Sequence, residues 1–143
     1  MPALRSNWLF YHVLAAMLGY GALTVGAALA LPALKRGIEP ARAAELDRIQ
    51  YRALSFGFLL LTAGILTGSV WAHEAWGAYW QWDPKETWSL ITWLWYAAAL
   101  HLWRGKGWRG RRFAWMNLAG FAVTMFTYFG VNYLMKGLHA YAQ

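Results

Sequence analysis

The sequence predicts an all-α, polytopic membrane protein: a bundle of four transmembrane helices with a Trp-rich external loop between spans two and three and both termini outside. Three observations carry this prediction. Of the 143 residues, 59% are hydrophobic and only 13% charged, against roughly 25% charged in an ordinary soluble domain. Four long stretches hold no Asp, Glu, Lys or Arg: Trp8 to Leu34, Ala53 to Trp71, Thr87 to Trp103 and Phe113 to Met135. Finally, the basic residues are sorted into alternate connections between those stretches. No stretch alternates polar and apolar residues over its length, so helices are favoured over strands, and lipid admits only helices or closed barrels.

A helix needs about 20 apolar residues to cross the hydrocarbon core, which sets the spans at about 8–34, 53–71, 84–103 and 113–135 in one membrane-integral domain, residues 1–143. The first span is too long for the apolar region of a cleaved signal, and its basic residues follow it, so it is read as a retained helix. Segment Pro40 to Tyr51 is read as a solvated connector, with a short amphipathic helix as the alternative. In span two, Gly64 and Gly68 form a G-x-x-x-G that predicts close helix packing. Span three borrows its start from Asp83-Pro84-Lys85-Glu86, where Asp83 is an N-cap, Pro84 takes the first helical position and Glu86 completes a capping box.

Ten of the thirteen basic residues lie between spans one and two (Lys35, Arg36, Arg42, Arg48, Arg52) or between spans three and four (Arg104, Lys106, Arg109, Arg111, Arg112). The positive-inside rule puts both connections on the inner side and the loop of about residues 71–88 outside. The formal charge of +7 is thus sorted across a bilayer. A single basic patch is not implied, and nucleic acid is not an expected partner.

The chain has no cysteine, which excludes disulfides, thiolate metal sites and covalent haem attachment to the chain itself. Four histidines remain as nitrogen ligands: His12, His73, His101 and His139. His12 and His139 flank the Trp-rich loop from the ends of spans one and four. His101 is expected as a buried imidazole about 25 Å deeper than Pro84, at 1.5 Å per residue, close to the inner face. Eleven tryptophans are present, and Trp76, Trp80, Trp82 and Trp88 crowd one short segment. A flat conjugated ligand such as haem, held by two imidazoles, and a structural aromatic girdle both account for this pattern.

The run from Trp76 to Trp88, WGAYWQWDPKETW, resembles the tryptophan-rich WWD motif of haem-handling membrane proteins. Its DPKETW form is similar to the CcsA (ResC) family of System II cytochrome c assembly proteins. The likeness extends to His12-Val13, YRALSFGFLLLTAGILTGSVWA, Leu100-His101, GWRGRR at 107–112, FTYFGVN at 126–132 and GLHAY at 137–141. Family members usually have further spans before the one holding His12, so the chain resembles their C-terminal portion. His73 and Lys136 depart from the family pattern.

The resemblance implies that haem b in transit is received in the membrane and presented at the outer face to apocytochrome c, whose CXXCH thiols add to the haem vinyl groups. It implies His12 and His139 as outer axial ligands, and Trp76, Trp80, Trp82 and Trp88 as a platform. Asp83 and Glu86 would shape the loop, Lys85 and Arg5 would meet the propionates, and His101 would serve an inner site. No catalytic nucleophile is expected, because haem carries the vinyls and the substrate carries the thiols. A CcsB (ResB)-like membrane partner in a haem-ligation complex is implied, thiol-reducing proteins are compatible with it, and a bacterial inner membrane is the expected location, with a thylakoid as alternative. The other readings are a System I WWD protein, a transporter subunit with no bound haem, and a b-type electron carrier. The last normally sets histidine pairs within its spans.

Overall fold

Helix α1, Asn7–Ala33, follows Ser6, whose hydroxyl accepts the backbone N–H of Trp8 at 3.1 Å and so satisfies one of the free donors at the helix start. The computed structural model describes residues 5–139; Ala140 and Tyr141 of the last matching motif lie outside them. Helix α2, Pro40–Trp76, has 37 residues and, at about 1.5 Å each, is much longer than the hydrocarbon core. Its first turns are Pro40 to Tyr51, which corrects the expected solvated connector. Leu46, Asp47 and Gln50 there are all buried. The reason is tertiary: Leu46 packs with Ala30, Ala33 and Ala114, and Asp47 accepts the Gly110 N–H at 2.7 Å.

Helix α3, Pro84–Gly105, begins with the predicted capping box: the Asp83 side chain accepts backbone N–H groups and the Glu86 carboxylate accepts the N–H of Asp83. Helix α4, Arg111–Met125, passes into a π-helical segment, Phe126–Gly130, and then a last turn, α5, Val131–Leu134. The described residues contain helices and no strand. Helices α1 and α2 and the run Arg111–Leu134 are each long and apolar enough to cross a membrane. Helix α3 is long enough at 22 residues but is less apolar by hydropathy. Four of its positions are Trp, which scores as weakly apolar while burying a large surface.

Leu23, Leu54, Tyr96, Ala99 and Phe113 form one buried cluster, which joins α1, α2, α3 and α4. Beside it, the buried Asn117 amide donates to the Gly26 carbonyl at 2.8 Å and to Gln50 Oε1 at 3.0 Å. At the end of the bundle with the basic loops, Tyr51 stacks on Trp103 with centroids 3.9 Å apart, and the Arg109 guanidinium lies 3.7 Å from the Trp103 ring centroid. The opposite end stays open between the helices.

Candidate functional site

That opening is a cavity of about 470 Å³ walled by all four helical runs and by the loop before α3, a size typical of small-molecule and cofactor sites. His12, Ala16 and Tyr20 of α1 line it beside Gly64, Gly68 and Ala72 of α2, and Trp80, Lys85, Tyr128, Asn132 and His139 complete the polar end.

The first imidazole is positioned by glycines. His12 Nδ1 lies 2.7 Å from the Gly64 carbonyl oxygen, so Nδ1 carries the hydrogen and donates it, leaving the Nε2 lone pair available as a ligand. A Cβ at Gly68 would stand 2.5 Å from His12 Nδ1, far inside contact distance, so Gly68 is the notch that admits the ring. Gly64 serves the predicted close packing, since its Cβ would meet the Ala16 backbone nitrogen at 3.3 Å. The G-x-x-x-G thus does two jobs, packing α1 and seating His12.

The second imidazole is positioned by a carboxylate. His139 Nδ1 donates to Asp83 Oδ2 at 2.9 Å, and the backbone N–H of Leu138 donates to Asp83 Oδ1 at 2.6 Å. Lys85 N–H donates to Oδ2 at 3.1 Å. Burial pushes the Asp83 carboxyl up, but the hydrogen bonds from His139, Leu138 and Lys85 hold it below its ordinary value. The segment reaches Asp83 this closely because residue 137 is glycine: a Cβ there would lie 2.4 Å from Asp83 Oδ1. Asp83 therefore caps α3 and orients His139 with the same carboxylate, an arrangement that fixes the tautomer and leaves Nε2 for a metal. One indole touches both imidazoles, with the Trp71 ring centroid 6.2 Å from His12 and 5.9 Å from His139.

Lys85 Nζ donates to Asn132 Oδ1 at 2.8 Å and to the Tyr128 carbonyl at 3.3 Å. Tyr128 lies in the π-helical segment, whose i→i+5 bonding departs from the regular α-helical ladder. Glu86 is buried and accepts the N–H groups of Gln81 at 2.8 Å and Asp83 at 3.2 Å, which matches its expected role in shaping the loop.

The expected Trp platform is divided. Trp80 lines the cavity; Trp76, Trp82 and Trp88 are not among its lining residues. Trp76 sets its edge against His139, with centroids 5.0 Å apart. Trp88 lies against Phe126 at 4.4 Å, and Trp82 points away, 68% exposed. The spacing of indoles in sequence does not report this, since the loop turns sharply at Trp82, whose φ is 55°. Arg5 is exposed and does not line the cavity. His101 is exposed on α3, which corrects the expectation of burial: its helix face is left uncovered within this chain. His73 stacks on Tyr79 at 4.2 Å, so it supports a cavity wall. Tyr20, Tyr79, Tyr128 and Asn132 line the cavity without having been singled out, although an Asn within an apolar span was a signal.

Among the described residues no cluster of three or more His, Cys, Asp or Glu side chains suits a metal ion. Two imidazoles with free Nε2 atoms fit a metal that brings its own equatorial ligands, which is the requirement of haem iron.

The model of the family described as Cytochrome C assembly protein matches residues 1–139. Relatives include the cytochrome c biogenesis proteins CcsA of Prochlorococcus marinus (strain MIT 9312), 43% identical over 172 residues, and of Guillardia theta, 45% identical over 168; each match covers 99% of this chain and 56% of the relative. The chain thus spans about half the length of these relatives. From the matched family model and this identity across nearly its full length, the chain belongs to the cytochrome c assembly protein family.

Proposed function

We propose that this chain binds haem b in transit through His12 and His139 and presents it at the outer membrane face for covalent attachment to apocytochrome c. The observation that carries this reading is the pair of imidazoles around one cavity, each with Nδ1 committed to an acceptor, Gly64 O or Asp83 Oδ2. Both Nε2 atoms are thereby left as ligands of the same kind. The apolar walls exclude water from the porphyrin faces. Lys85, held at the polar end by Asn132, is the cation for a propionate, and Trp80 offers a stacking edge.

The chain contributes position and electrostatics, not a nucleophile. Each thioether forms when a cysteine S–H of the apocytochrome adds across a vinyl C=C, the sulfur and the hydrogen going to its two carbons. His139 is the better candidate for displacement by the incoming CXXCH histidine, because it sits on a short segment after α5, whereas His12 is within α1. Other parts of the assembly fall to a CcsB-like membrane partner, with haem delivered past His101, in a bacterial inner membrane.

The test is ligand replacement. His12→Gly and His139→Gly should each shift the haem spectrum and lower cytochrome c assembly, and added imidazole should restore part of both. Normal spectra and normal assembly in the double variant would refute the bis-imidazole site.

A further inference from the structure

At the end of the bundle away from His12 and His139 lies a second cavity, of about 440 Å³, lined by Lys35, Arg36, Ile38 and Arg111 together with small residues and the Gly110 backbone. We propose that it is a binding site for the phosphate of an anionic phospholipid headgroup.

Positive charge in these loops is expected from topology alone, but its convergence is a product of the fold. Lys35 and Arg36 follow α1, while Arg111 opens α4, and the three line one cleft, beside which Asp47 of α2 accepts the Gly110 N–H at 2.7 Å. That bond places Gly110, at φ 59°, in the cleft wall. The Arg111 guanidinium is anchored through one nitrogen to the Leu34 carbonyl, which orders its remaining donors for an oxyanion. The first turn of α4 has no side-chain cap, so its backbone donors add to the same field. No Asp or Glu is among the described residues lining the cleft.

The position and the walls choose between a free ion and a lipid. The cleft lies at the end of the uncharged run of α1 and beside the charged first turns of α2, a position at headgroup level when α1 spans the bilayer, and Ala33, Ile38 and Ala43 form an apolar wall beside the cations. A free phosphate gains nothing from that wall, whereas a glycerophospholipid places its glycerol and first acyl carbons there. Basic pockets between transmembrane helices recognise lipids in this way.

The experiment uses the full chain, delipidated in neutral detergent, with binding of phosphatidylglycerol, phosphatidylcholine and inorganic phosphate each read by native mass spectrometry and thermal shift. The wild type should retain and be stabilised by phosphatidylglycerol in preference to phosphatidylcholine. Lys35→Gln/Arg36→Gln should weaken phosphatidylglycerol about 20- to 30-fold, from about 1 kcal/mol per cation at about 1.4 kcal/mol per tenfold. Arg104→Gln/Lys106→Gln removes the same charge from the neighbouring loop and should leave the preference in place. The double variant at 35 and 36 keeps Arg111 and its bond to α1, so a folding defect is not expected, and unchanged haem binding by the variant would verify that. Equal losses in both double variants would reduce the cleft to diffuse surface charge and overturn the proposal. So would stabilisation by inorganic phosphate with no retained phosphatidylglycerol, which would make the ligand a free anion.

Discussion

Replacing Gly68 by alanine should separate haem binding from folding. The new Cβ would lie 2.5 Å from His12 Nδ1 and 2.8 Å from Cε1, whereas non-bonded contacts settle near about 3.5 Å or more. The imidazole must therefore retreat by about 1 Å. Its hydrogen bond to Gly64 O, 2.7 Å long, then stretches past about 3.5 Å and is lost.

The energetic ledger is small for the fold. Overpacking costs about 1–3 kcal/mol, and alanine returns about 1 kcal/mol of helix propensity relative to glycine. The atom that yields is a side chain, so the backbones of α1 and α2 need not part. The site suffers more, because losing the group that orients a metal-bound histidine typically costs about 10- to 100-fold in affinity.

Haem titration of the purified protein, followed by its Soret band alongside a thermal melt, should show that loss with a nearly unchanged melting temperature. Gly64→Ala should do the reverse, since its Cβ meets the Ala16 backbone at 3.3 Å and the helices must adjust. Wild-type haem affinity in Gly68→Ala would refute the placement of His12 as a ligand.

Four further outcomes are expected. Asp83→Asn keeps the size of the side chain but removes the charge holding His139, so haem affinity should fall about tenfold or more by titration. Because the folded Asp83 carboxyl is held below its ordinary value of 3.8, its contribution to stability is present above that value and is lost as pH falls through the lowered one. Acid-dependent thermal melts of the haem-free protein should show this loss in the parent and lack it in Asp83→Asn. In whole cells, a single cysteine at exposed Trp82 should react with an impermeant maleimide and one at Lys106 should not; labelling at 106 would overturn the orientation. Haem titration of isolated His101→Ala should match the parent, whereas haem loading of the same variant co-expressed with a CcsB-like partner should drop. Unchanged loading there would make His101 an ordinary surface residue.

The elements that read clearly from sequence are those whose signals are local. Asp83 acts as a cap through atoms a few residues away, and a run without charges marks a span wherever it sits in the bundle. The first half of α2 shows the limit of that reasoning. Arg42, Glu45, Asp47 and Arg48 give it the composition of a connector, yet Asp47 and Gln50 are buried, each with one side-chain oxygen accepting a bond from Gly110 or Asn117. The π-helical segment has no signature in Phe126–Gly130 that distinguishes it from continued α-helix.

For the site, residue types were legible and pairings were not. His12, His139, Asp83 and Lys85 stand out in sequence because ionisable or ligating groups are rare near an apolar bundle and costly to bury without a purpose. Which of them meet depends on contacts between residues more than fifty positions apart, as in His12 with Gly64 and His139 with Asp83. Composition and charge order therefore decide that this chain is helical, lies in a membrane and carries His12, His73 and His139 at one end, because lipid penalises every unpaired polar group regardless of its neighbours. Only the packing of α1 on α2, and the return of residues 137–139 to Asp83, decide that two of those imidazoles share one cavity. Hydrogen bonds and steric notches act over a few ångströms, and proximity of that kind is created by the fold.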